Sequence, residues 1–115
     1  MTSFHKIFLE FNSLLTQHKL LESLDFYDSE IVSTDNLDQP VTGISALKEK
    51  TADFIANATI DAIEVVSLLS EDGLSVTNWW YAFTHNKLGK VAGHRFSVQR
   101  WKNNKIIQEN HFYSE

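Results

Sequence analysis

From Ser3 to His18 the apolar side chains fall at Phe4, Ile7, Phe8, Phe11, Leu14 and Leu15, a three- and four-residue rhythm that puts them on one face of a helix. A second, short helix is predicted from Leu20 to about Phe26. The mixed stretch Tyr27 to Val32 then leads into a short strand closed by Asp35. Thr34 to Thr42 carries acids and amides beside the single proline, Pro40, and reads as an irregular surface loop. After Gly43, the stretch Ile44 to Ala58 sets Leu47, Thr51, Phe54, Ile55 and Ala58 along one side, with Lys48, Glu49 and Lys50 elsewhere, which predicts a third helix.

From Thr59 onward the pattern changes to β-branched and aromatic residues. It is punctuated at Glu71-Asp72-Gly73, Lys87-Leu88-Gly89 and Lys102-Asn103-Asn104, which read as hairpin turns. Strands are predicted at 59–70, 74–86, 90–102 and 105–113. Strands this long in a small sheet must twist and coil, and a coiled sheet is concave on one side. The fold class is therefore α+β, with three N-terminal helices packed on a strongly curved, mainly antiparallel sheet.

At 115 residues and 43% hydrophobic content, the chain suits one domain over 1–115 with one core. Its 15 acidic against 10 basic residues, a net charge of -5, argue against nucleic acid or an anionic membrane surface as partner. Without cysteine there is no disulfide, thiolate nucleophile or cysteine metal site. No apolar run suits a signal peptide or approaches the roughly 20 residues of a membrane span, so a cytoplasmic protein is expected. Asn57-Ala58-Thr59 reads as a polar helix-to-strand junction. No nucleophile elbow, phosphate loop or nucleotide fingerprint is present, and no cofactor is expected.

Three segments carry a resemblance. Phe26-Tyr27-Asp28-Ser29-Glu30-Ile31-Val32 resembles the aromatic-acidic lead into the first strand of the nuclear transport factor 2-like superfamily, which includes ketosteroid isomerases and SnoaL-like polyketide cyclases. Val41-Thr42-Gly43-Ile44-Ser45-Ala46-Leu47 resembles its Gly-x-x-Ala-aliphatic helix start, and Arg100-Trp101-Lys102-Asn103-Asn104-Lys105-Ile106 its Arg-aromatic-turn-Lys-Ile hairpin. Nearly the whole chain is covered. The resemblance implies a cone-shaped α+β barrel closed by three helices around a pocket, often dimeric through the outer sheet surface. It implies no one reaction, since isomerases, cyclases, dehydratases, epoxide hydrolases and non-enzymes share the scaffold.

In isomerase-like members an aspartate at the end of the first strand removes a proton, while a tyrosine and a protonated acid hold the oxyanion. Asp35 matches the first position. Phe11 stands at the tyrosine position and cannot donate a hydrogen bond, and Ser97 stands at the second donor position, which argues against steroid-type isomerisation. His94 is a second candidate base if it faces the pocket. Among five histidines no helical His-x-x-x-His pair occurs and no metal site is expected. Glu109 and His111 share a strand face and read as an exposed cross-strand pair.

A turn at Leu88-Gly89 pairs the two long strands so that Trp79, Tyr81 and Phe83 share a face with His94, Phe96 and Val98. Val76, Asn78, Trp80 and Ala82 then share the other with Arg95, Ser97, Gln99 and Trp101. Periodicity alone turns the aromatic face toward the helices, but the resemblance points Ser97, Gln99 and Trp101 into the cone, and that assignment is followed. The expected pocket is lined by Phe11, Phe54, Trp80 and Trp101, with Asn78, Arg95, Ser97 and Gln99 as polar groups. It suits a small, partly apolar molecule bearing a carbonyl or carboxylate. Trp79, Tyr81, Phe83, Phe96 and Val98 become an outer patch for a second subunit. Three functions compete: a small-molecule binding module, an isomerase, cyclase or dehydratase using Asp35 or His94 as base, and a homodimeric association module.

Overall fold

The computed structural model describes residues 3–113. Helix α1 spans Phe4–Thr16, and its first turn is capped by Ser3, whose hydroxyl accepts from the Lys6 amide at 3.3 Å. It buries Ile7, Phe8 and Phe11. The helix stops short of His18 because that residue takes a left-handed backbone (φ 64), and the amides of His18 and Lys19 fold back onto the Leu15 and Leu14 carbonyls. Helix α2, Leu20–Ser23, continues into a 3-10 turn at Leu24–Phe26.

Strand β1, Tyr27–Asp35, is followed by β2, Val41–Thr42, then by helix α3, Ile44–Asn57. Strands β3, Ala58–Glu71, β4, Leu74–His85, β5, Gly89–Lys102, and β6, Lys105–Tyr113, complete the chain. Gly43 opens α3 at φ 89, its N–H donating to the Ile31 carbonyl at 2.7 Å. Three features depart from the sequence pattern here. The segment read as an irregular loop contains β2, which pairs back onto β1, and Ala58 begins β3 rather than ending a helix. Ile55, placed on the apolar side of α3, is exposed.

The sheet has the order β2-β1-β6-β5-β4-β3, with β1 parallel to β6 and the other pairs antiparallel. It is curved but open, not closed into a barrel. Two hairpins have two-residue loops: Asp72-Gly73, with Gly73 at φ 76, and Asn103-Asn104, at φ 52 and φ 62, the positive values that such tight turns require.

The β4–β5 hairpin differs. His85 faces Gly89 across a three-residue loop of Asn86, Lys87 and Leu88, and His85 Nδ1 accepts from the amides of Lys87 and Leu88 at 3.1 and 3.3 Å. A three-residue loop sets odd-numbered positions opposite odd-numbered ones. A one-residue change of register flips every side chain relative to its partner strand, so the faces deduced from a turn at Leu88-Gly89 are corrected. Trp79 lies opposite Arg95, Thr77 opposite Ser97 and Ser75 opposite Gln99. The inner face thus joins the aromatic side of β4 to the polar side of β5.

The core occupies one end of the concave face. There Ile7, Phe8 and Phe11 of α1 meet Leu24, Ile31, Leu47, Trp101 and Ile106. Phe4, Phe8 and Phe11 approach the Trp101 ring edge-on, with centroids 5.4, 6.5 and 5.6 Å away.

Candidate functional site

Beyond Trp101 the register draws inward-facing side chains into rows across the sheet. Ser75, Gln99, Glu109 and Ser33 form one row, and Thr77, Ser97, His111 and Asp35 the next. Trp79, Arg95 and Tyr113 form a third, followed by Tyr81 opposite Gly93 and Phe83 opposite Val91. Polar rows therefore separate the aromatic core from an aromatic wall.

Glu109 is 2% exposed and fully engaged. Tyr27 Oη donates to its Oε1 at 2.7 Å, Gln99 Nε2 donates to the same oxygen at 3.0 Å, and Ser33 Oγ donates to Oε2 at 2.7 Å. His111 Nε2 lies 3.1 Å from Oε2. Burial opposes the charge on this carboxyl, yet His111, Gln99 and Tyr27 outweigh it and hold the group well below the usual carboxylate range. Burial, with the Glu109 charge beside it, pushes the Tyr27 phenol up, so it remains a donor.

His111 is engaged at both nitrogens. Ser97 Oγ lies 2.8 Å from Nδ1, and Arg95 Nη2 lies 2.9 Å from Nε2. Asp35, beside them, receives a hydrogen bond from Lys50 Nζ of α3 at 2.8 Å. Burial opposes its charge as well, but Lys50, Arg95 and His111 together lower its carboxyl below the ordinary value.

These groups form the polar end of a cavity of about 490 Å³ between the sheet and the helices. Its apolar body is made by Leu15 and Phe54 of the helices, Ile60 and Ile63 of β3, and Trp79, Tyr81 and Phe83 of β4. Phe54 meets Phe83 edge-on at 5.0 Å, and Tyr81 stacks on Phe83 at 5.9 Å.

Among the residues singled out from the sequence, Asp35, Phe54, Arg95, Ser97 and Gln99 line this cavity. Phe11 and Trp101 belong instead to the packed core. Asn78 and Trp80 lie on the opposite sheet face, where the three-residue loop sends them, with Trp80 facing His94 and their rings 5.2 Å apart. His94 is consequently exposed on the convex side, away from the cavity. Trp79, Tyr81 and Phe83, assigned to an outer patch, are cavity wall, whereas Phe96 is 47% exposed on the outer face, where Val98 also lies.

Glu109 and His111, read as an exposed pair, are buried at the centre of the site. Their signal was in the sequence. Ser75/Thr77, Ser97/Gln99 and Glu109/His111 are polar pairs two residues apart on three neighbouring strands, a shared polar face that only the correct register aligns. Among the described residues no group of three His, Cys, Asp or Glu is placed to hold a metal ion, and no helix is long and apolar enough to cross a membrane.

Three helices over a curved, open, mainly antiparallel sheet enclosing a pocket define the nuclear transport factor 2-like fold. Solved structures share it along nearly the full chain. A Mesorhizobium loti protein described as a SnoaL-like polyketide cyclase superposes with a TM-score of 0.86 at 20% identity, over 97% of this chain and 100% of that one. An NTF2-like protein of unknown function from Cytophaga hutchinsonii gives 0.79 at 8% identity, over 97% and 100%. An LEH-like epoxide hydrolase of M. tuberculosis gives 0.77 at 10%, over 95% and 80%. At these identities the likeness is one of fold. No family model matches the chain, and no curated protein matches it by sequence.

Proposed function

We propose that this chain binds a small, partly apolar organic molecule in the cavity, its apolar body against Trp79, Tyr81, Phe83 and Phe54 and its polar group toward Arg95, His111 and Asp35. The observation that carries this reading is one space of about 490 Å³ with an aromatic body and a convergent polar end, within the roughly 300–1,000 Å³ of small-molecule sites.

The polar end favours holding a molecule over turning it over. Asp35 is paired with Lys50 and held below its ordinary value, which weakens it as a base, and both nitrogens of His111 are engaged inside the protein. The similar structures include one described as a SnoaL-like polyketide cyclase and one described as an LEH-like epoxide hydrolase. A cytoplasmic setting fits a chain without cysteine. The reading is tested by protein-observed NMR with a set of neutral aromatic fragments. Shift changes are expected at the cavity residues; a set that perturbs none of them removes the reading.

A homodimer accompanies it. The convex face exposes Phe96 (47%) and Phe112 (46%) opposite one another on β5 and β6, with the partly exposed Trp80 and Val98 on the same face, and exposed aromatic pairs of this kind mark interfaces. Light scattering is expected to give twice the chain mass, and Phe96→Glu with Phe112→Glu to halve it. A wild-type protein with the mass of one chain would exclude the dimer.

A further inference from the structure

One nitrogen of His111 stands between two partners that require opposite things of it. Nε2 lies 2.9 Å from Arg95 Nη2 and 3.1 Å from Glu109 Oε2. A guanidinium only donates hydrogen bonds and a carboxylate only accepts them. With a lone pair on Nε2 the ring receives Arg95; with a hydrogen there it donates to Glu109. It does not do both. The Ser97 hydroxyl at Nδ1, 2.8 Å away, gives or takes a hydrogen bond and fits either state.

The charges facing the ring come from every element around it. Glu109 is on its own strand β6, Arg95 on β5 and Asp35 on β1, with Lys50 of α3 bound to Asp35. Tyr27, Tyr81 and Tyr113 add neutral phenols to the same wall. With His111 neutral the two carboxylates and two cations balance. With His111 protonated the polar end carries one net positive charge. Lys50 is paired with Asp35, while Arg95 has no carboxylate within ion-pair distance among the described residues; its partner is Nε2 of His111.

We propose that the cavity takes a monocarboxylate, that Arg95 is its partner, and that its binding is coupled to the uptake of one proton by His111. The proposal rests on the cavity-binding reading and names the chemistry of its ligand. A carboxylate offers Arg95 a charged, bidentate acceptor in place of a neutral one. Once Arg95 turns to the anion, the lone pair on Nε2 faces the Glu109 carboxylate unopposed. A proton taken up there makes an N–H that donates to Glu109. Anion and proton enter together, so the partly buried site gains no net charge, whereas an unbalanced charge in such surroundings is costly.

Calorimetry with 2-naphthoate and the neutral 2-naphthamide, in phosphate and in Tris at one pH, separates these claims. The acid is expected to bind more tightly than the amide, with a heat that differs between buffers by the ionisation heat of about one proton, and with affinity that weakens as pH rises, by up to about tenfold per unit. Arg95→Gln should erase the preference for the acid, and His111→Gln the buffer dependence. Since the wild-type protein carries both readouts, a variant that fails to fold does not decide the matter. An acid bound no better than the amide, or with equal heat in both buffers, overturns the proposal and leaves the cavity reading standing. Failure of the acid, the amide and every neutral fragment to bind brings down both.

Discussion

Replacing Glu109 with alanine will destabilise the fold by about 3–5 kcal/mol, the usual loss when one partner of a buried charged network is removed. Its carboxylate is the common acceptor for Tyr27, Ser33 and Gln99 and lies beside His111. Alanine leaves these buried donors with nothing to bind, and each unpaired polar group costs about 1–3 kcal/mol, with some recovered by water entering the gap. Glu109→Gln retains one acceptor oxygen and should lose less. Urea unfolding with an unchanged m-value measures both; a loss below about 1 kcal/mol for the alanine variant would mean the network does not support the fold.

The same carboxylate gives the stability an acid limb. In the unfolded chain Glu109 titrates at its ordinary value of about 4.3, while in the fold it is held well below the usual range. As pH falls through the unfolded value, the unfolded state takes up a proton that the folded state refuses, so the contribution, complete above about pH 5, declines with acidification. Asp35, also lowered, acts with the same sign. In Glu109→Ala the Asp35 part remains and the steeper part is gone.

The second large effect is expected at Trp101. It is 6% exposed, three phenylalanines of α1 pack on its ring, and its Nε1 donates to Ser75 Oγ at 2.9 Å. Trp101→Ala opens a cavity and takes the indole donor from Ser75, which keeps its bond to Gln99 Oε1, costing about 3–5 kcal/mol, or about 12–20 °C in Tm for a chain of this size. Trp101→Phe keeps most of the packing and should lose markedly less. Equal losses for the two variants would place the stabilisation in the hydrogen bond rather than in the ring.

The helices and long strands were legible because burial follows a period there. Phe4, Ile7, Phe8 and Phe11 recur at helical spacing, and three glycine- or asparagine-bearing turns separate β3 to β6. The site was harder to read for two physical reasons. Alternation reads an inner face as apolar, but the inner positions Ser97, Gln99, Glu109 and His111 satisfy one another by hydrogen bonding and are buried without being apolar. A single residue in the Asn86–Leu88 loop also decides whether Trp79 or Trp80 faces the cavity, and turn composition does not fix that parity. Asp35, Arg95, Ser97 and Gln99 were placed on the cavity side regardless, since the resemblance oriented β5 and the end of β1; β4, carrying no quoted motif, was turned over.

That parity is what the tryptophans report. Trp79 is cavity wall, Trp80 is on the convex face and Trp101 is in the core. The most direct measurement is therefore the indole N–H region of the nitrogen–proton NMR spectrum, assigned by single Trp→Phe variants, during titration with a neutral aromatic fragment. The expected result is a progressive shift of the Trp79 signal while Trp80 stays in place. A shift confined to Trp80, or none at Trp79 under saturating fragment, would contradict the cavity as the binding site.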